Sequence, residues 1–507
     1  MNTQVIARNS GWYGLETGVG FVSGIATSIA IARVLGPDKL GPFVYIAWLV
    51  GVAGSLGGLG IPAATCKYMG EYLGRGDRAT AREIFFLTLR LQIIFAIAVT
   101  AIAMAVIYVT IDRSKLAFSM TLAASLLPTM INCIPAQANA ATEDFGANVP
   151  ASLAASFVYT AGVVLVLYFG WELTGLAVVV FAMKWADVVI RSVPVVRRFR
   201  RCPRGALTRA LRSRIFVFSR QNVTLLFLST IVWDRSEMLF LQSYSGARQL
   251  AFYSVVFNIT ERLRSLPAAF GSVLSPTIMA QFGRDPAKLN AMASSAIRYL
   301  GLVVLPVNLG IAMLSAPLIA LLYGSKYLSV IPLLAIAVLL AIPKALLSPL
   351  EALMGATENQ HLIVRWTVVV AIVNVSLDLL LIPTRAAMGA VVANGVSQLL
   401  ITVILFTHAV RIFHIPLPVL DLAKIVVSAS AMAFAIWLTG SLGLSPIAAI
   451  VVGTVVGTAV FLFMLRATQS LDRKDLDRMH QIEGSIPYGL GSWLSWGVAR
   501  LVPASRA

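Results

Sequence analysis

Apolar runs of about twenty residues recur along the chain, each separated from the next by a short polar interruption. Ile93 to Val109 and Ile447 to Leu465 are typical: both are long enough to cross a hydrocarbon core as a helix. Reading every run against its interruptions predicts about fourteen spans. They lie near residues 10–34, 42–68, 84–110, 116–141, 149–169, 175–197, 216–241, 248–275, 292–320, 328–354, 362–383, 387–410, 421–440 and 446–466. The expected fold is therefore an all-α polytopic membrane protein. Connections are short, and the largest polar segments are a linker around Arg197 to Arg220 and the tail after Arg466. The first span reads as a retained helix, because Arg8 alone precedes it and Glu16 interrupts the apolar run of any signal peptide. In the tail, residues 486–502 combine Trp493, Leu494, Trp496, Leu501 and Val502 with several glycines. Two readings stand for them, an interfacial amphipathic helix and an irregular tail.

The pattern also repeats. Leu35 to Tyr45 (LGPDKLGPFVY) resembles Ser245 to Ser254 (SGARQLAFYS), and Met69 to Arg78 resembles Met279 to Lys288. Ala141 to Asp144 (ATED) pairs with Ala356 to Asn359 (ATEN), and the turn before Gly175 pairs with the turn before Gly389. All four pairs keep their order at a separation of about 210 residues, the mark of a duplicated unit. Six helices per unit is an even number, so the units share one orientation as parallel repeats, and the last two helices stand outside the duplication. The predicted domains are a six-helix lobe over 1–198, a basic linker over 199–215, a second six-helix lobe over 216–411, helices 13 and 14 within 412–466, and a tail over 467–507.

Composition agrees with this pattern and removes other classes. Of the 507 residues 58% are hydrophobic and only 12% charged, an apolar surplus that a globular core cannot hide. The net charge of +18 would suggest nucleic acid in a soluble protein, but here the cations sit in short loops and set topology. One side carries Arg33, Lys39, Arg113, Lys115, Arg248, Lys326 and Arg385. The other carries Arg75, Arg78, Arg82, a run of arginines from Arg197 to Arg214, and Arg473, Lys474 and Arg478, which puts both termini in the cytoplasm. Cys66, Cys133 and Cys202 lack metal or disulfide spacing, and no phosphate-binding GxxxxGK[ST] loop occurs. No metal, cofactor, enzymatic activity or nucleic-acid partner is expected.

Charges inside spans are costly and mark candidate function. On the sixth span Lys184, Asp187 and Arg191 share one face, with Lys184 about 14 Å from the helix start. They either line a cavity or form a ladder that fixes packing. On the eighth span Glu261, Arg262 and Arg264 lie about 18 Å in, and Glu261 can pair with Arg264. Arg262 and Arg264 are the leading candidates for an anionic headgroup, since a guanidinium donates two parallel hydrogen bonds to phosphate oxygens. Lys344 is a further cavity candidate. Asp234, Arg235 and Glu237 near a helix end are gate candidates. Asn374 with Asp378, and Asn394 with Gln398, are i, i+4 polar pairs suited either to sugar hydroxyls or to helix–helix hydrogen bonds. Asp378 is also a candidate coupling-ion site. Gly51 to Gly60 with Pro62 make the second span open to close packing and to bending.

Leu322 to Tyr327 (LYGSKY), Asn374 to Pro383 (NVSLDLLLIP) with Met388 to Ala390, Asp234 to Leu241 (DRSEMLFL), Phe252 and Tyr253, and Ala32 to Gly41 (ARVLGPDKLG) together resemble the Wzx-type polysaccharide-export flippases. Thr384 to Ala387 depart from that pattern, which usually has a basic residue followed by glycine there. The resemblance implies membership of the superfamily that also holds lipid II flippases and multidrug and toxin exporters. It implies V-shaped lobes around a central cavity, a bacterial inner-membrane location, a lipid-linked glycan substrate, and a lipid-tail groove formed by helices 13 and 14 (421–466). Other polysaccharide-assembly membrane proteins become candidate partners. The leading functional expectation is a flippase for a polyprenyl-diphosphate-linked oligosaccharide. The alternatives are an ion-coupled multidrug antiporter, which would want an acidic cavity, and a membrane-embedded glycosyltransferase, which would want a substantial outer loop.

Overall fold

A computed structural model describes residues 3–142, 145–233, 236–282, 286–356, 360–413, 415–471 and 475–477. Its helices are α1 (Thr3–Gly57), α2 (Ile61–Gly74), α3 (Arg78–Thr110), α4 (Arg113–Ala124), α5 (Leu126–Ala141), α6 (Val149–Phe169), α7 (Glu172–Arg200) and α8 (Arg209–Trp233). They continue as α9 (Glu237–Tyr244), α10 (Gly246–Phe282), α11 (Pro286–Met313), α12 (Ser315–Leu322), α13 (Val330–Ala356), α14 (Gln360–Phe413), α15 (Val419–Thr439) and α16 (Pro446–Ala467). Among the described residues there is no strand. The all-α class is as expected. The residues 486–502 lie outside the described residues.

Ten helical stretches among the described residues are long and apolar enough to cross a membrane. Two of the ten, Gly20–Gly57 and Leu362–Phe413, contain a residue with non-helical φ and ψ, Gly36 and Ala386, so the stretches do not by themselves establish the count of fourteen. Their outward faces are apolar: Ile97, Ile102 and Val106 of α3, and Phe157 and Val164 of α6, are exposed. In water such surface would drive association, whereas against lipid tails it is satisfied. Aromatic residues gather at helix ends, with Phe169 stacked on Trp171 and Phe434 on Trp437, as in an interfacial belt.

Several predicted spans are two-part helices, each for a local reason. The second breaks where Leu59 and Gly60 take positive φ, and Gly60 then starts α2 against α8. A Cβ on Gly60 would stand 2.3 Å from the carbonyl oxygen of Ser219, so glycine is required there twice over, by φ and by space. The fourth breaks at Ser125, whose hydroxyl donates to the Leu122 carbonyl, with Pro128 in the next turn. The ninth divides into α11 and α12 at Leu314. Asp77 caps α3 by accepting the Thr80 N–H at 2.9 Å, and hydrogen bonds from the Thr80 hydroxyl first and its backbone N–H second hold the Asp77 carboxyl below its ordinary value.

The duplication is visible in the backbone. Gly36 (φ 74) and Gly246 (φ 78) both take positive φ, as do Glu172 and Ala386 (φ 48 each), and each pair is about 210 residues apart.

The chain packs as two compact units, Met1–Ala251 and Phe252–Ala507. In the first, Ile61, Met69, Ile84, Phe85, Ile134, Phe199 and Ile215 bring α2, α3, α5, α7 and α8 onto one core, with Phe85 and Phe199 stacked at 5.1 Å. Thus α8, which opens the second sequence repeat, packs in the first unit. In the second unit α13 packs on α14 and α11, while α15 and α16 pack on α11 through Leu305, Ile425, Met432, Ile436 and Phe461.

Candidate functional site

The second unit holds a small cavity whose mostly apolar lining includes several polar and charged groups. Tyr253, Thr260, Glu261 and Arg264 of α10 face Ala337, Leu340 and Ala341 of α13, and Asn394, Gly395 and Gln398 of α14. The helical period sets this arrangement: 253, 257, 260, 261 and 264 form one stripe of α10. Gly395 lets α14 approach α13, since a Cβ there would lie 2.3 Å from Leu340 Cδ1. Within the cavity Arg264 Nη2 pairs with Glu261 Oε1 at 2.5 Å, and both side chains keep about a third of their exposure (32% and 35%). Gln398 Nε2 donates to Asn394 Oδ1 at 2.5 Å. The enclosed volume, about 40 Å³, holds a few water molecules and no sugar, so a larger cargo can reach these groups only after α10 parts from α13 or α14.

Other expected residues fall around or apart from this cavity. Arg262 is half-buried on α10 and does not line it. Lys344 is paired with Glu351 along α13, and Ser348 on the same helix donates to the Pro267 carbonyl of α10 at 3.2 Å. Asn374 Nδ2 donates to Asp378 Oδ2 at 3.1 Å, and Asp378 is wholly buried. Glu237 is buried in the first turn of α9, while Asp234 and Arg235 lie outside the described residues.

In the first unit Asp187 and Arg191 join a network that ties three helices. Asp187 accepts from Asn132 of α5 at 2.6 Å and from Arg191 Nη2 at 2.8 Å, and Arg191 also donates to Ser152 of α6 at 2.9 Å. Lys184 is half-buried one turn before Asp187. Among the described residues no group of three or more His, Cys, Asp or Glu side chains could hold a metal.

A family model described as polysaccharide biosynthesis protein matches residues 30–332. The chain belongs to the polysaccharide biosynthesis protein family. No curated protein sequence matches it. Among solved structures it is similar to the lipid II flippase MurJ in an inward closed conformation, with TM-score 0.68 and 14% identity over 89% of this chain and 97% of that one. It is also similar to an inward-facing multidrug resistance MATE transporter of the MOP superfamily, with TM-score 0.64 and 15% identity over 78% and 94%. A MOP superfamily transporter from Pyrococcus furiosus matches with TM-score 0.58 and 15% identity over 81% and 95%. These likenesses establish the transporter fold for this member of the family.

One polar cluster of this family member escaped the sequence. Arg298 of α11 is nearly buried and grips Asp475 through two bonds of 2.9 and 2.7 Å, with Tyr299 donating to the same carboxylate at 2.7 Å. Its Nε lies 3.3 Å from Asp421 of α15. An arginine inside the ninth span was the available signal. Its partner lay in a polar tail that carries no periodic pattern.

Proposed function

We propose that this protein flips a polyprenyl-diphosphate-linked oligosaccharide from the cytoplasmic to the outer leaflet of the bacterial cytoplasmic membrane by alternating access. O-antigen or exopolysaccharide assembly is the setting that its family supports. The observation that carries the reading is Arg264, a cation well inside a predicted span, held beside Glu261, Asn394 and Gln398 in one cavity. A diphosphate can take the guanidinium fork from Glu261 with two parallel hydrogen bonds, while the amides of Asn394 and Gln398 serve sugar hydroxyls. The Arg264 pair keeps about a third of its exposure, so the guanidinium is accessible to a competing anion.

Arg262, Lys184 and Lys344 are further cations for the cargo's path. Asp187 and Arg191 hold the helices that would line it, Asn374 with Asp378 is the candidate coupling pair, and Asp234, Arg235 and Glu237 remain gate candidates. The arginine-rich loops support cytoplasmic termini. An antiporter for organic cations fits less well, because the acidic group of this cavity is already neutralised by Arg264.

The test is transbilayer movement of a fluorescent polyprenyl-diphosphate oligosaccharide in proteoliposomes. Arg264→Gln should slow flipping by at least about tenfold with unchanged insertion, and Arg264→Lys should recover part of the rate. A wild-type rate in Arg264→Gln would remove Arg264 from the cargo path.

A further inference from the structure

The first unit carries a second cavity, far in sequence from Arg264 and made of different chemistry. About 600 Å³ in volume, it is lined by Gly70, Leu73, Gly74, Arg78, Ala141, Thr142, Arg198, Phe199 and Cys202. Four helices meet here, α2, the start of α3, the end of α5 and the end of α7, and Arg78 and Arg198 supply the cations of the lining. We infer that this cavity binds a phosphate-bearing anionic headgroup. The inference is independent of the flippase reading.

Charge, shape and rigidity all contribute. Arg78 and Arg198 lie on opposite sides in sequence, one opening α3 and the other closing α7, and both reach the same cavity. Arg198 is aimed by a hydrogen bond from its Nη1 to Thr142 Oγ1 at 3.3 Å. Room for a ligand comes from α2: no atom lies within 4 Å of where a Cβ on Gly70 or Gly74 would stand. The floor is firm, since Phe199 is 2% exposed and stacks on Phe85. The α7–α8 linker is also held in place, because a Cβ on Gly205 would come within 2.7 Å of the Ala79 backbone. Topogenic arginines need only face water. These two line a concave, glycine-opened space with an apolar floor, which suits a phosphate ester carried on a glycerol or nucleoside body.

Such a ligand has two sources, an anionic phospholipid of the bilayer and a soluble diphosphate. Cys202 at the cavity edge reports on both. In a Cys66→Ser/Cys133→Ser background, N-ethylmaleimide labelling of Cys202 is compared in phosphatidylcholine nanodiscs, in nanodiscs containing phosphatidylglycerol and cardiolipin, and in phosphatidylcholine nanodiscs with added inorganic pyrophosphate. A thiol introduced by Ala210→Cys on the same face, outside the cavity, corrects for surface charge. Occupancy should slow Cys202 labelling by about fivefold relative to Ala210→Cys, and Arg78→Gln/Arg198→Gln should abolish the difference. Protection by the anionic nanodiscs alone assigns the site to a lipid headgroup, and protection by pyrophosphate assigns it to a soluble diphosphate. Equal labelling under all three conditions, or protection that survives in the double variant, overturns the proposal. Both arginines are exposed, so the double variant should fold, and its unchanged elution on size exclusion checks this.

Discussion

Removing the carboxylate of Asp187 should unlock three helices at once. In the native protein it neutralises Arg191, whose side chain is only 7% exposed, and it is itself 17% exposed. Asp187→Ala leaves the Arg191 guanidinium buried with Ser152 as a neutral partner and deprives Asn132 of its acceptor. Truncating one member of a buried pair costs about 3–5 kcal/mol, because the surviving charge stays desolvated. The residual exposure of Asp187 places the expected loss near the lower end, about 3 kcal/mol. For a unit of this size each kcal/mol shifts the midpoint by about 2–4 °C, so a fall of about 10 °C is expected. The assay is heating in detergent followed by size exclusion, scoring the fraction that stays monodisperse. Asp187→Asn keeps an acceptor and should lose about half as much. Asp187→Leu/Arg191→Met removes both charges and should recover most of the loss, since well-packed apolar replacements of buried pairs are close to neutral. A midpoint for Asp187→Ala within about 2 °C of wild type, or a double variant no better than the single, would refute the packing role.

Two backbone positions give further tests. Gly60→Ala should cost about 3 kcal/mol or more, because its Cβ would meet the Ser219 carbonyl oxygen at 2.3 Å and a backbone atom cannot rotate away; the yield of monodisperse protein should collapse. Ala386→Gly should stabilise. At φ 48 and ψ −130 an alanine carries strain of about 1–3 kcal/mol, and glycine gives back about 0.5–1 through its freer unfolded chain, leaving a gain of about 1 kcal/mol readable as a raised midpoint in the same heating assay.

Much of the fold was legible because lipid imposes one rule on every span: about twenty apolar residues with internally satisfied backbone. Val149–Phe169 was located to the residue for that reason, since Asn148 and Gly170 flank a predominantly apolar run without a charge. The breaks were harder. Gly36 and Gly60 announce themselves as glycines, but Ala386 and Glu172 take positive φ with side chains that ordinarily avoid it. The departure from the flippase pattern at Thr384 to Ala387 was the visible trace of that strain. The site was legible only in part. Arg264 and Glu261 could be paired from spacing alone. That Asn394 and Gln398 of α14 would face them, or that Arg262 would not, depends on how α10 turns against α13, and no local pattern encodes that rotation.

Burial separates what these intramembrane charges can do. Asp187 with Arg191, and Arg298 with Asp475, are largely buried and multiply hydrogen-bonded, so a cargo could engage them fully only by dismantling the structure around them. Such groups suit fastening. Arg298 reaches Asp421 of α15 and the Ser470 carbonyl just beyond α16, and the apolar contacts of Met432, Ile436 and Phe461 with Leu305 add to it, so α11, α15 and α16 are bound into one body. Arg264 and Glu261 differ in kind. They pair with each other, keep about a third of their exposure and border a cavity where amides also converge. A cycle that opens and closes around a charged cargo needs charges of the second sort mounted on helices held rigid by charges of the first, and the second unit contains both within α10 and α11.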